Sequence, residues 1–230
     1  MDVILIPGFW LDASAWDEVV PAVATVGHTP KPITPPGLVP ADPEVGLRDQ
    51  IDFVVKMVDA ATGPVVLVGH SGGGAVAHGV VDARPDRIAK VIYVDSGPLA
   101  DGGLINDGFD AVDGMIPLPP KEFFDDESVV DMTDEVWAAF DARAIPIPEK
   151  VAVEKQVLAD PRRYDVPVTV ITSEMPEAVL RDLMAQGHPY VAELAKVKRY
   201  DIVELPTGHW PMLTKPAELA ALVAAALPQP

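Results

Sequence analysis

Cysteine is absent from the 230-residue sequence, which excludes disulfides, thiolate metal sites and a cysteine nucleophile together. Basic residues are scarce: 17 Lys and Arg stand against 35 Asp and Glu, a formal net charge of −18. So acidic a surface repels phosphate backbones and anionic lipid, so neither nucleic acid nor a membrane surface is an expected partner. Long apolar runs are also missing. The longest, Leu219 to Leu227, is about half the ~20 residues that a spanning helix requires. No basic segment precedes the strand-like run that starts at Asp2, so no signal peptide is expected and the cytoplasm is the expected compartment. What is present is a core: 49% of residues are hydrophobic and 23% charged, a composition that excludes intrinsic disorder and fits one domain over residues 1–230.

Short β-branched runs alternate with stretches of helical period, the pattern of an α/β fold whose mostly parallel sheet is covered on both faces. Strands are expected at Val3–Ile6, Val65–Val68, Val91–Val94, Val168–Ile171 and Ile202–Leu205, with a weaker edge piece around Pro30–Thr34. Helices are expected near Ala15–Thr25, Pro43–Ala61, Gly73–Arg84, Pro176–Gln186 and Ala217–Ala226. The alternation stops after Asp95. Residues 98–165 are rich in Pro, Gly and Asp and show no convincing strand, but contain a helix capped by Thr133, with Met132, Val136, Trp137 and Phe140 along one side. An excursion of about 65 residues is usually a lid or binding element, and it is read here as a cap over the carboxyl edge of the sheet.

Val65 to Gly74 carries the chemistry. A buried strand runs into Gly69-His70-Ser71-Gly72-Gly73 and then into a helix. A serine on that sharp strand-to-helix turn is forced into strained backbone geometry, with its hydroxyl standing above the sheet edge. The pattern Gly-x-Ser-x-Gly is weak alone; a strand before it and a helix after make it specific. Neither Gly-x-Gly-x-x-Gly nor a Gly-Lys-Ser/Thr ending is present, which counts against a nucleotide loop.

A serine hydroxyl needs a base. Of the five histidines, His28 precedes an early strand, His70 sits within the turn, and His78 lies two helical turns further on. His188 follows a helix and is a candidate for the pocket wall. His209 follows the last expected strand, on a loop that can swing over the edge where Ser71 emerges, and is the expected base. An anionic intermediate also needs backbone N–H donors. Gly72 is expected to supply one and Phe9, in the loop after the first strand, the other, with Gly8 permitting a tight turn there. Trp10, Trp137 and Trp210 are further pocket candidates.

These features resemble the α/β-hydrolase superfamily over essentially the whole chain, in particular the small cap-bearing serine esterases of the plant methylesterase and hydroxynitrile lyase group. The residues that carry the resemblance are Val3–Trp16 with Gly8, Gly69–Gly73 around Ser71, and Gly208-His209 followed by Lys215-Pro216. It implies an α/β-hydrolase fold of about six strands with a mainly helical cap, a Ser–acid–His triad in that chain order, and no cofactor or metal. Two positions depart from the pattern: the first loop reads Pro7-Gly8 where relatives often have His-Gly, which keeps the essential glycine, and the triad acid is displaced. Relatives usually carry an aspartate just after the strand at Val168–Ile171, where this chain has Met175. Some members take the acid from the end of the preceding strand, and Asp95 stands there. Asp95 is therefore the expected triad acid, with Glu174 as the alternative.

The reaction expected is hydrolysis of a carboxylic ester or lactone of a small, largely apolar substrate through an acyl-enzyme. Two alternatives stay open: a cofactor-free lyase or carbon–carbon bond hydrolase on the same residues, and a non-catalytic ligand-binding homologue. Lyase relatives typically add a pocket cation, and Lys215 is poorly placed for it. The oligomeric state is left open.

Overall fold

Eight strands form in the computed structural model, which describes residues 1–229. They are β1 (Asp2–Ile6), β2 (Thr29–Pro32), β3 (Val65–His70), β4 (Ile88–Val94), β5 (Met115–Ile116), β6 (Ile147–Pro148), β7 (Val168–Thr172) and β8 (Tyr200–Glu204). Six of them make one sheet in the order β2-β1-β3-β4-β7-β8, with every neighbouring pair parallel. Alternate residues serve opposite faces. Val3, Leu5, Val66, Val68, Ile92 and Val94 enter one apolar cluster, while Ile4, Ile6, Val65, Leu67, Val91 and Tyr93 enter the other. With both faces covered, each buried aliphatic side chain contributes about 1.5–3 kcal/mol.

The helices are α1 (Val19–Thr25), α2 (Leu47–Ala60), α3 (Gly72–Ala83), α4 (Asp134–Asp141), α5 (Glu149–Val153), α6 (Glu177–Ala185), α7 (Pro211–Thr214) and α8 (Pro216–Ala226). Helices α1 and α8 pack together on one side of the sheet, and α2 packs with α3 on the other. Two expected helices are revised. The one expected at Ala15–Thr25 is broken into a 3-10 turn at Ala13–Trp16 and α1, because the Asp12 carboxylate caps Ser14 N and starts the turn early. The one expected from Pro43 begins at Leu47, where Asp49 Oδ2 accepts from Gly46 N at 2.9 Å. No helix among the described residues is long and apolar enough to cross a membrane.

Residues 98–165 depart from expectation in two ways. They do contain strands: β5 and β6 pair antiparallel, Ile116 opposite Ile147. They are also mostly irregular, with α4, α5 and short 3-10 turns in between, rather than mainly helical. Frequent prolines, which cannot continue a helix, account for that. Thr133 caps α4 as expected, its Oγ1 accepting from Val136 N at 3.3 Å. The segment is tied to both loops at the carboxyl edge of the sheet. Ile145 N donates to Trp10 O at 3.1 Å and His209 N to Ser128 O at 2.8 Å, while Trp10 Nε1 donates to Ile116 O at 3.2 Å. Its last stretch runs along α3 instead, where Gln156 Nε2 reaches Ala75 O and Asp82 receives the amides of Ala159 and Asp160.

Candidate active site

Ser71 stands between β3 and α3 with φ 49° and ψ −124°, a conformation that costs a non-glycine residue about 1–3 kcal/mol. The surroundings fix it there. Ser71 N donates to Val94 O at 3.2 Å and Gly74 N to Ser71 O at 2.8 Å, and Ser96 Oγ donates to the same carbonyl at 2.7 Å. The chain can turn so sharply because Gly73 lies against the first strand: a Cβ there would come within 2.6 Å of Ile6 O and Pro7 O.

The loop after β8 delivers His209. Its ring lies with Nε2 2.8 Å from Ser71 Oγ and Nδ1 2.7 Å from Asp95 Oδ2. A carboxylate only accepts, so Nδ1 carries a hydrogen. In the neutral ring the Nε2 lone pair therefore faces the hydroxyl, and Ser71 donates to it. Burial alone would push the His209 pKa down, but the hydrogen bonds and charges of Asp95 and Glu174 outweigh it and raise the pKa to about 9. Below that pH the ring is an imidazolium, and Nε2–H donates to Ser71 Oγ instead.

Asp95 follows β4 with a left-handed φ of 41°, its N–H held by Ile171 O at 2.7 Å. Its Oδ1 accepts from Ser173 N at 2.8 Å and Glu174 N at 3.1 Å, which leaves Oδ2 for the imidazole. Glu174 Oε2 approaches the same Nδ1 at 3.4 Å. Burial pushes the Glu174 carboxyl up, but His209, Ser128 and Asp95 together hold it well below the usual carboxylate range. Ligand atoms of Asp95, Glu174 and His209 lie within 4.8 Å of one another. The 2.7 Å contact between Nδ1 and Oδ2 is nonetheless a hydrogen bond: two ligands on one tetrahedral zinc ion would stand roughly 3.3 Å apart.

The two residues expected to supply the oxyanion donors are neighbours, with the Phe9 ring packed against the Cα of Gly72. Among the described residues, neither the Phe9 nor the Gly72 N–H has a protein acceptor, and the positive end of α3 points the same way. Gly8 serves space rather than the turn: a Cβ there would come within 2.5 Å of His70 Nδ1, and the left-handed residue in this loop is Trp10, φ 64°.

The pocket candidates divide. Trp10 is buried and packs edge-on against Phe9, Phe109 and Phe124. Trp210 is buried against His209, Phe124, Trp137 and Phe140, and Trp137 is half-buried beside it. These rings form a continuous aromatic wall in which Phe109, Phe124, Trp137 and Phe140 of residues 98–165 meet Trp10 and Trp210 of the two edge loops. His188 does not join them. Gly187, φ 66°, ends α6 and turns the chain outward, leaving His188 exposed as the cap of a 3-10 turn, where Nδ1 accepts from Tyr190 N at 3.2 Å. His28 bonds Pro228 O, and His78 lies buried between Tyr93 and Glu193.

Three contributors have no local sequence signal. Phe109 lies in an irregular stretch; Ser96 acts through a carbonyl across the sheet edge; Ser128 holds His209 through main-chain atoms alone. The role of His70 is equally non-local: its Nε2–H donates to His209 O at 2.7 Å. Burial pushes its pKa down to about 3, so this ring is neutral and adds no charge beside His209.

A model of the alpha/beta hydrolase family matches residues 3–222. The chain is 27% identical to a carbendazim hydrolyzing esterase of Nocardioides sp. (strain SG-4G), over 96% of this chain and 98% of that protein. It is 38% identical over 80 residues to lipase LipV of Mycobacterium tuberculosis, a match that spans 34% of this chain and only 29% of the lipase. Among solved structures, an extracellular alpha/beta-hydrolase from a Paenibacillus species superposes with a TM-score of 0.77 at 24% identity, over 98% of both chains. At that identity the likeness is one of fold.

Proposed function

Because the chain belongs to the alpha/beta hydrolase family, we propose that it is a serine hydrolase cleaving a carboxylic ester or lactone of a small, largely apolar substrate through an acyl-enzyme. The observation that carries this reading is the continuous hydrogen-bond chain from Ser71 Oγ through His209 to Asp95, at 2.8 and 2.7 Å. In the neutral state of the ring, Nε2 takes the hydroxyl proton as Ser71 Oγ bonds to the carbonyl carbon. The Phe9 and Gly72 amides receive the oxyanion. The imidazolium, its Nδ1–H held by Asp95, then protonates the leaving oxygen, the carbon–oxygen bond breaks and the alcohol departs. Water attacks the acyl group by the same steps and frees the acid and Ser71.

Residues 98–165 act in this reading as a cap, since they bond to both the Trp10 and the His209 loops. The aromatic wall suits an apolar acyl or alcohol group, and the net charge of −18 disfavours anionic substrates. The names of the Nocardioides and Mycobacterium relatives, an esterase and a lipase, point the same way. A lyase would want a cation at the leaving group. Lys215 does not supply it, because its ammonium is bound to Pro206 O at 2.7 Å and faces Asp131 at 3.5 Å.

The experiment is hydrolysis of short and medium p-nitrophenyl esters and simple lactones, wild type beside Ser71→Ala. Serine-dependent release, with the acyl-serine detected by mass spectrometry, is expected. Turnover that survives Ser71→Ala would sink the assignment.

A further inference from the structure

His209 is faced by two carboxylates where the chemistry needs one. They arrive from adjacent strands, Asp95 from the end of β4 and Glu174 from the loop after β7, and the backbone locks them together, since the Glu174 amide itself donates to Asp95 Oδ1 at 3.1 Å. Their settings differ. Asp95 is buried, its side chain 6% exposed, and lies at hydrogen-bond distance from Nδ1. The Glu174 side chain is 29% exposed and stands at 3.4 Å, an ion-pair distance, on the more open side of the same nitrogen. One carboxylate fixes the ring; the other adds charge.

Among the described residues, no cation pairs with the ring or its two carboxylates to offset that charge. From β3 comes His70, held neutral by burial. From the turn after α6 comes Tyr190, exposed over most of its surface, whose phenol is pushed up by desolvation and by the charges of Asp95 and Glu174 and is neutral too. On the segments packed against the His209 loop, Asp131 and Lys215 face each other at 3.5 Å. The imidazolium is thus favoured by two negative charges, and with a pKa raised to about 9 the ring is mainly protonated at pH 7.

We infer that Glu174 is a positioning residue which, acting through His209, confines turnover to alkaline solution. The inference rests on the assignment of Ser71 and His209 above. The direction follows from the protons. Attack by Ser71 needs Nε2 unprotonated, so kcat/KM rises with pH as the ring loses its proton. Removing the Glu174 charge lets the proton leave at lower pH and moves that rise downward. The imidazolium formed during turnover loses one of its two supports, so the rate at the plateau falls, but only modestly, because Asp95 still holds the ring.

The test is the pH profile of kcat/KM for wild type, Glu174→Gln, Glu174→Ala and Asp95→Asn, together with an NMR titration of the His209 ring in each. The ring resonance is assigned by its loss in His209→Gln. Both Glu174 variants should lower the kinetic midpoint and the ring titration together by about one unit or more, with a plateau within about tenfold of wild type. Asp95→Asn should lose rate at every pH. An unmoved ring titration in the Glu174 variants overturns the inference. So does a plateau that collapses as far as that of Asp95→Asn, which would make Glu174 the triad acid. The titration needs no turnover, so it judges Glu174 even if the serine hydrolase reading fails.

Discussion

The imidazole of His70 donates from Nε2 to the main-chain carbonyl of His209 at 2.7 Å, so the residue before the nucleophile grips the backbone of the residue that faces it. The two rings sit 5.1 Å apart, and the amide of His209 is held from the other side by Ser128 O at 2.8 Å. The ring of His209 is aimed by Asp95, but its Cα is placed by these two bonds.

His70→Phe removes the donor and leaves a buried carbonyl unpaired, a cost of about 1–3 kcal/mol. Because it acts on the base and not on a bound substrate, the loss should fall on kcat, by roughly 10- to 100-fold, with KM little changed. His70→Gln, whose amide can reach the same carbonyl, should recover part of the rate. Steady-state kinetics on one ester decide it. Equal kcat for wild type and His70→Phe would mean that the Ser128 bond alone suffices.

Ser71 offers a test of strain that is independent of turnover. At φ 49° and ψ −124° glycine is at ease and serine is not. Ser71→Gly should therefore be inactive yet more stable, by about 1 kcal/mol, after the added chain entropy is set against relieved strain of about 1–3 kcal/mol. For a domain of this size that is a rise of about 2–4 °C in Tm. Calorimetry on Ser71→Gly beside Ser71→Ala separates strain from the lost hydroxyl. A Tm for glycine at or below that for alanine would show the turn to be unstrained.

The parts of this site that were legible in the sequence are those whose requirement is local. Gly69-His70-Ser71-Gly72-Gly73 declares itself because the turn excludes side chains within five consecutive positions, and β3 and α3 bracket it in the chain. The sheet was legible because β3 and β4 each carry four consecutive apolar residues, Val65–Val68 and Val91–Val94. Asp95 needed more: nothing near it in sequence says that it meets His209, and only its place at a strand end, with Met175 where relatives have an aspartate, pointed to it. Position 188 misled because a histidine after a helix carries no mark of which way Gly187 turns the chain. The β5–β6 pair went unseen because two-residue strands have no period, and the Ser128 carbonyl because a main-chain acceptor has no residue type. The close approach of Glu174 to Asp95 is a distance between loops, which one chain of letters does not record.

A second charged cluster lies beneath α3, away from Ser71. Glu193, its side chain 2% exposed, accepts from Arg163 Nε at 2.9 Å and faces His78 Nε2 at 3.3 Å, and Lys196 reaches its other oxygen at 3.0 Å. Tyr93 Oη stands 3.0 Å from the far nitrogen of His78. The cluster joins α3, the turn at Pro161–Asp165 and the turns after α6. Glu193→Gln removes one of the two carboxylates that hold Arg163, whose Nη1 still meets Asp82 Oδ1 at 3.2 Å, at a cost of about 1–3 kcal/mol. Chemical denaturation should show that loss with kcat for the folded protein unchanged. A stable Glu193→Gln would mean that the cluster is solvated, and a fall in kcat would tie it to the site.

Activity and stability should peak at different pH. His209 binds its proton more tightly folded, with a pKa of about 9, than unfolded, near 6.5. Its contribution to stability is complete below about 6.5 and is lost as pH rises through 9. Burial works the other way on His70 and His78, whose pKa values are pushed below 6.5. The unfolded chain then takes up protons that the folded one refuses, and stability falls as pH drops below 6.5. Glu193, held far below its ordinary 4.5, adds to the loss in more acid solution. These slopes oppose each other and place the maximum of Tm between about pH 6.5 and 8, whereas neutral His209, and with it kcat/KM, is still increasing there. Scanning calorimetry from pH 5 to 10 beside the kinetic profile tests the separation. In Glu174→Gln the two maxima should draw together, since His209 then gives up its proton earlier. A Tm that climbs with kcat/KM up to pH 9 would mean that His209 is not protonated in the resting fold.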